Sequence, residues 1–458
     1  MSRIPAVWPK KPRRVGASST KRSAFFYGWR IVVLGYILNL MTAGVGSSGF
    51  SVFVKPMGDD LGWNRSSVVA ATALSMIAAA VFGHLIGAQL DKRHGARLVT
   101  TSGIFVIGLA MIATGYVNEI WQFLLIFFVA GAFGLHAYPM LIVPTIVSKW
   151  FVRKRGMAIS FASMGLPSTG LLIVPYVNFL ISSFDWRTAW KVLGFTTWGL
   201  ALPWCFLFMK GRPEDMGLQP DGASQPAVES PENDFPQQGP KHALILPRGK
   251  DEADEYPWTI REATRTRAFW LVLLASSLGM MSFLAVLINF FAFVTDEAKG
   301  FTSGEATIAL AIFSVFSLIG KLPWAFLADR IDIRYSTAFT YAVPGLALAL
   351  LLNANAFWML VLWGVIYGTG VSGISPLPAL AWGNYYGRTF LGAIRGIASP
   401  ITFLSQAAAP LFAAFMYDVT GGYETPFAIF LGIFLFSSFL MLLARRPPIP
   451  QAGHDLSS

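Results

Sequence analysis

Twelve apolar runs, each about as long as a bilayer is thick, lie along this chain in two groups of six, and no other feature constrains its fold as strongly. A helix crosses a membrane with about 20 apolar residues. Runs of that length lie near 29–53, 66–90, 98–117, 121–147, 157–182 and 187–209, and again near 268–294, 304–328, 336–353, 356–380, 397–417 and 425–443. Charged residues make up 13% of the chain, against about 25% in a soluble domain, so most of it must sit in a solvent that tolerates apolar surface. The expectation is an all-α membrane protein, with twelve transmembrane helices arranged as two pseudo-symmetric six-helix bundles.

That reading divides the chain. Residues 1–28 form a basic tail, 29–209 the first bundle, 210–267 a linker, 268–443 the second bundle and 444–458 a second tail. The linker mixes Pro213, Pro220, Pro226, Pro231 and further prolines with Gln, Gly, Asp and Glu, a composition that builds no packed core. Near its end, Trp258 to Arg267 is expected to form a short helix on the membrane surface. The apolar run after the basic tail is too long for a signal-peptide core, so it reads as a retained first span. Cys205 is the single cysteine, which leaves no disulfide framework or cysteine metal site.

Charge placement gives the orientation. Of 35 Lys and Arg, 28 fall in the tails, the linker and the loops on their side, five fall on the opposite side and two inside spans. Both termini and the linker are therefore expected in the cytoplasm of a multi-pass protein of the inner or plasma membrane. The net charge of +11 is accounted for by topology, with no need of nucleic acid.

The two groups are copies of one unit. GHLIGAQLDKRHGAR (83–97) is echoed 238 residues later by GKLPWAFLADRIDIR (320–334), with Asp329 in the place of Asp91. Gly134 and Gly370, and Gly156 and Gly392, are 236 apart, and Pro175 and Pro410 are 235 apart. Small loop changes account for such drift.

With these residues in view, the chain resembles the major facilitator superfamily. The family's loop pattern is G-x-x-x-D-[RK]-x-G-[RK]-[RK], and Gly87, Asp91, Lys92, Gly95 and Arg97 match it with one extra residue before the glycine. More narrowly, FSVFVKPMGDDLGWNRSSV (50–68), GRPEDMGLQPDG (211–222) and NYYGRTFLGAIRG (384–396) resemble the branch of monocarboxylate transporters and oxalate/formate antiporters. The resemblance implies the major facilitator fold and transport by alternating access. Gly87, Asp91, Lys92, Gly95 and Arg97, with Asp329 and Arg330 as the second-half counterpart, are candidates for a conformational latch of the outward-open state, with simple topology charge as the plain alternative. The second copy has Ile333 where Gly95 would fall.

None of the 24 acidic residues lies mid-span, which disfavours a buried carboxylate as proton carrier. Lys321 is the sharpest signal. It lies in the eighth run, roughly 10 Å from the inner boundary at about 1.5 Å per residue, and a charge near a helix centre costs about 2.5–3.5 kcal/mol. A substrate anion would supply the counter-charge; a lysine snorkelling to the surface is the alternative. In the resembling branch a base at this place in the eighth helix binds the substrate carboxylate, and that role falls on Lys321. Ser317 stands where monocarboxylate transporters have an aspartate, Ser48 lies near their first-helix lysine, and Ser405 and Gln406 replace a second lysine of oxalate exchangers. One cation suits a monoanion. His136, Tyr138, Asn289, Tyr367 and Gln406 complete the candidate site; each has a packing role as its plain alternative, as has His84.

Neither a phosphate-binding Gly-rich loop, a metal cluster nor a nucleophile–base constellation is present, so no enzyme activity and no cofactor or metal are expected. The partners expected are a small organic anion, protons or a counter-transported anion, and the lipid bilayer. Two alternatives remain at this stage: an exporter of amphipathic compounds on the same fold, and a membrane sensor using the linker as its output.

Overall fold

A computed structural model describes residues 26–46, 49–222, 256–296 and 299–450. Most of the N-terminal tail, the middle of the linker, Ser48, His242 and the end of the last tail with His454 lie outside the described residues.

Every apolar run is helical. The first run forms Gly28–Gly46 and Phe50–Leu61, and the next two are Arg65–Leu90 and Gly95–Thr114. The fourth is divided into Ile120–Ala132 and Val143–Trp150, joined through a π-helical turn at Tyr138–Ile142; the fifth is Arg155–Ser163 with Gly165–Ser183, and the sixth Trp186–Phe208. In the second half the seventh span is Arg267–Val294, the eighth Ser303–Ile319 with Lys321–Ala328, and the ninth Ile333–Leu352. The tenth is Phe357–Val371 with Pro376–Tyr386, the eleventh Leu391–Thr420 and the twelfth Glu424–Leu443. Among the described residues ten helices are long and apolar enough to cross a membrane on those grounds alone. The fourth span is cut short by its turn, and the eleventh carries Arg395, Ser399, Thr402, Ser405 and Gln406.

The helices begin where the chain can satisfy their first amides. Thr302 and Glu305 close a capping box at the eighth span, and Thr266 caps the seventh; each occupies N–H groups that have no partner within the helix. The breaks have equally local causes. Gly134 takes φ +106°, open to glycine without strain, and Pro139 and Pro144 follow. Ser372–Ser375 form the turn of the tenth span, and Pro376 and Pro378 follow. Proline gives no N–H to the carbonyl four residues back, so both spans break at about the same depth in their half.

Each half has a dry aromatic centre. Phe53 stacks on Trp190 with ring centroids 4.1 Å apart in the first half, and Phe290 on Trp363 at 4.1 Å in the second. Phe105, Phe195, Leu200, Phe339 and Leu346 are exposed on the outside, the surface that lipid would cover. Between apolar helices in lipid the attraction is close packing rather than exclusion of water. Gly87 illustrates it: a Cβ there would lie 2.2 Å from the carbonyl oxygen of Gly392, so the second and eleventh spans meet backbone to backbone.

The start of the linker departs from the expectation of an unpacked segment. Residues 210–222 are docked on the helix ends, with Pro213 and Pro220 buried. Asp221 accepts from the amides of Val152, Arg153 and Lys154. The short helix expected near the linker's end is Ile260–Arg265, and Trp258 before it is buried edge-on against Tyr386 of the tenth span, 5.6 Å between centroids.

Candidate functional site

A cavity of about 60 Å³ lies between the halves. Met140 and Leu141 of the fourth span form its first-half wall. Ser276 and Met280 of the seventh span, Ile374, Ser375 and Trp382 of the tenth, and Arg395, Ser399 and Thr402 of the eleventh form the rest. On the side where the linker docks, the halves are sealed below it by hydrogen bonds.

Two buried cations hold this region together, each donating to a carbonyl that lies four residues before a proline. Lys321 is 3% exposed, and its Nζ donates to the Ser372 carbonyl at 3.2 Å. That carbonyl has lost its ordinary helical partner because Pro376 has no N–H. The neighbouring carbonyls at this helix end are taken up too: Trp324 Nε1 and Ser372 Oγ donate to Thr369 O at 2.7 and 2.6 Å, and Thr340 Oγ1 donates to Gly370 O at 2.6 Å. A cation at a helix C-terminus also meets the negative end of the helix dipole. Lys321 is thus neither snorkelling nor facing the cavity; it pins the turn whose Ile374 and Ser375 line it.

Arg395 does the same across the interface. It is 8% exposed, lines the cavity, and donates from Nη1 to Thr145 Oγ1 at 3.0 Å and from Nη2 to the Met140 carbonyl of the other half. Pro144 has no N–H for that carbonyl. Among the described residues neither Lys321 nor Arg395 forms an ion pair. By sequence Arg395 counts among the loop charges; the signal against that is Pro144 four residues after Met140, together with the helical spacing of Gly392 and Gly396.

The other expected site residues do not converge on the cavity. Tyr138 is fully buried and donates to Thr100 O at 2.8 Å inside the first bundle. Tyr367 is fully buried among Trp363, Phe313 and Phe434 inside the second bundle. His136 Nε2 pairs with Ser75 Oγ of the second span at 2.7 Å, one turn before Met140. Asn289 Nδ2 and Gln406 Nε2 donate back to their own helices, at Ala285 O and Thr402 O. Gln406 is the nearer of these two along its helix, one turn beyond the cavity-lining Thr402.

Of the residues expected to form a latch, Asp91 and Asp329 reach across to the other half at the linker side. Asp91 Oδ1 and Oδ2 accept from the amides of Gly392 and Ala393 at 3.0 and 2.7 Å, so a first-half carboxylate caps the start of the eleventh span. Lys149 Nζ pairs with Asp91 Oδ1 at 2.7 Å and donates to Leu90 O. Asp329 repeats the move, accepting from the Gly156 amide at 3.0 Å at the start of the fifth span. Arg155 Nη1 donates to Asn384 Oδ1, also across the interface. Gly95 is needed where it stands, since a Cβ would meet Gln89 O at 1.6 Å. Lys92 is exposed, and Arg97 and Arg330 lie over the rings of Phe206 and Phe326; these three bases stay within their own halves.

The family model for the Major Facilitator Superfamily matches residues 33–302 and 288–457. The chain belongs to the major facilitator superfamily. Its relatives include monocarboxylate transporter 12 of Rattus norvegicus, 24% identical over 95% of this chain and 88% of that protein. Monocarboxylate transporter 2 of Homo sapiens is 22% identical over 87% of this chain and 81% of that one. Among solved structures, the fucose:proton symporter FucP of E. coli superposes with a TM-score of 0.65 at 13% identity, covering 92% of this chain and all of that one. A bacterial homologue of the iron transporter ferroportin in its outward-facing state gives 0.63 at 12% identity, over 92% and 99%. The chain is therefore a multi-pass integral membrane transporter of this superfamily, related to monocarboxylate transporters, with the twelve-helix fold in two halves.

Proposed function

We propose that this transporter moves a small organic monoanion, a monocarboxylate in the first place, by alternating access, coupled to proton symport or anion exchange. The observation that carries the reading is Arg395, a buried cation lining the cavity between the halves, with the buried Lys321 behind the cavity turn; each rests on a neutral carbonyl and neither is paired with a carboxylate among the described residues. A bare charge in the membrane interior is costly, and an arriving carboxylate would balance it. Lys321 holds the cavity turn or moves to the substrate, and Arg395 faces it. His136 is a candidate proton group, while Gln406 and Asn289 stand further along their helices. The kinship with monocarboxylate transporters supports the choice of substrate class.

The Asp91 and Asp329 contacts, with Lys149 and Gly87, serve in this reading as the latch that closes the linker side. Positive charge on that side supports placing the linker and both termini in the cytoplasm. The test is counterflow in proteoliposomes with a panel of carboxylates, with and without a pH gradient. At least one monocarboxylate is expected to exchange, and Lys321→Gln is expected to lower its uptake about tenfold or more, the loss of a hydrogen bond to a charged group. Uptake of every carboxylate unchanged in Lys321→Gln would sink the anion site. Resistance to amphipathic compounds that survives the substitution would instead favour an exporter.

A further inference from the structure

We infer that Arg395 is the coupling group of the transporter: the substrate anion competes with the fourth span for its guanidinium, and binding thereby releases one seam between the halves. This deepens the proposal of an anion transporter and rests on it. In the structure the guanidinium belongs to the eleventh span, yet its described acceptors, Met140 O and Thr145 Oγ1, belong to the fourth span of the other half. Both acceptors are neutral. A carboxylate offers two charged oxygens matched to the guanidinium fork, and charge-assisted pairs of that geometry are about twice as strong as bonds to neutral acceptors. The exchange therefore favours the anion.

What the anion displaces is a bond between the halves. The Met140 carbonyl lies in the π-helical turn that breaks the fourth span, and Pro144 offers it no α-helical donor, so the tether is written into that break. Once the guanidinium turns to the substrate, Met140 and Thr145 lose their hold on the eleventh span. The remaining wall suits a small carboxylate. Ser399 Oγ now donates to Gly396 O at 2.7 Å, and Thr402 Oγ1 shares a hydrogen with Ser277; such hydroxyls turn to a ligand at little cost. The cavity of about 60 Å³ is several times the roughly 10–15 Å³ needed to hold one water, room for a small carboxylate such as acetate, propionate or lactate.

The experiment uses the purified full chain in nanodiscs with acetate, propionate and lactate as probes. Binding is read by calorimetry, and the seam by the distance between spin labels at Lys154→Cys and Phe390→Cys in a Cys205→Ser background. Bound carboxylate is expected to lengthen that distance. Arg395→Gln is expected to weaken binding about 10- to 100-fold and abolish the distance change. Thr145→Val, which weakens the tether and leaves the guanidinium, is expected to strengthen binding about threefold or more and lengthen the distance before ligand is added. Equal affinity and an equal distance response in Arg395→Gln would overturn the inference, and so would unchanged affinity in Thr145→Val, which decides the matter if Arg395→Gln does not fold. If carboxylates bind and are transported but neither variant differs from the parent, only the coupling role fails. If none binds or is transported, the anion reading fails with it.

Discussion

At the scale of single residues the two interface aspartates are not equal. Asp91 has the Lys149 ammonium at 2.7 Å. The residue 235 positions after Lys149 is the neutral Asn384, which bonds to Arg155 instead. A side-chain cap of this kind contributes about 0.5–2 kcal/mol, and the Lys149 pair adds to the first. Asp91→Ala is therefore expected to raise the linker-open population by about 2- to 30-fold, and Asp329→Ala by less. The check is the labelling rate, from the linker side, of a cysteine at the cavity position in Ser399→Cys, Cys205→Ser protein. Equal rates for the two aspartate variants would contradict the inequality.

Sequence reasoning also reached its limit at this scale. The depth of Lys321, Tyr138 and Tyr367 along their helices was legible, because depth follows from counting residues at a fixed rise. Their azimuth was not. A soluble helix reveals its inner face by an apolar stripe, but here lipid and core are both apolar and the stripe disappears. Tyr138 and Tyr367 were chosen for type and depth, and both turn into their own bundles. Arg395 escapes sequence for the converse reason: the eleventh helix begins at Leu391, and a charge one turn inside it reads as part of the loop.

At the scale of elements the long apolar runs and the repeat are plain, since each run is about the span length and few charges interrupt it. The glycines carried less information than their number suggested. Gly165 approaches the first span, where a Cβ would meet Tyr36 O at 2.2 Å, while nothing lies within 4 Å of a Cβ at Gly170. Gly87 sits against the backbone of Gly392 and Gly396, which cannot yield as a side chain can. Gly87→Ala is expected to force the second and eleventh spans apart at an overpacking cost of about 1–3 kcal/mol, seen as faster labelling at the Ser399→Cys position and a lower melting temperature. Gly170→Ala is expected to change neither, and a matching loss in both variants would show that the close approach is not what matters.

For the molecule as a whole, the start of the linker works as a strap across both halves. Arg212 Nη2 donates to Asp91 O of the first half and Thr389 O of the second, at 3.0 and 3.2 Å. Arg388 pairs with Glu214 at 2.6 Å, but both are partly exposed, and exposed pairs contribute about 0–1 kcal/mol. Arg212→Gln is expected to favour the linker-open state by about tenfold, and Glu214→Gln to change it by about fivefold at most, both read by the same labelling rate. The reverse order would mean that the exposed pair, not the two-carbonyl clasp, holds the strap.

The exchange of helix caps also reaches back to how the protein is made. Asp91 completes a helix in the second half, and Asp329 completes one in the first, so each copy of the duplicated unit carries the missing piece of its twin. The first half is not a finished object when the ribosome releases its sixth span from the tunnel. The fifth helix must wait, with its amides open, for an aspartate synthesised more than 170 residues later, and assembly of the first bundle is then completed by the second.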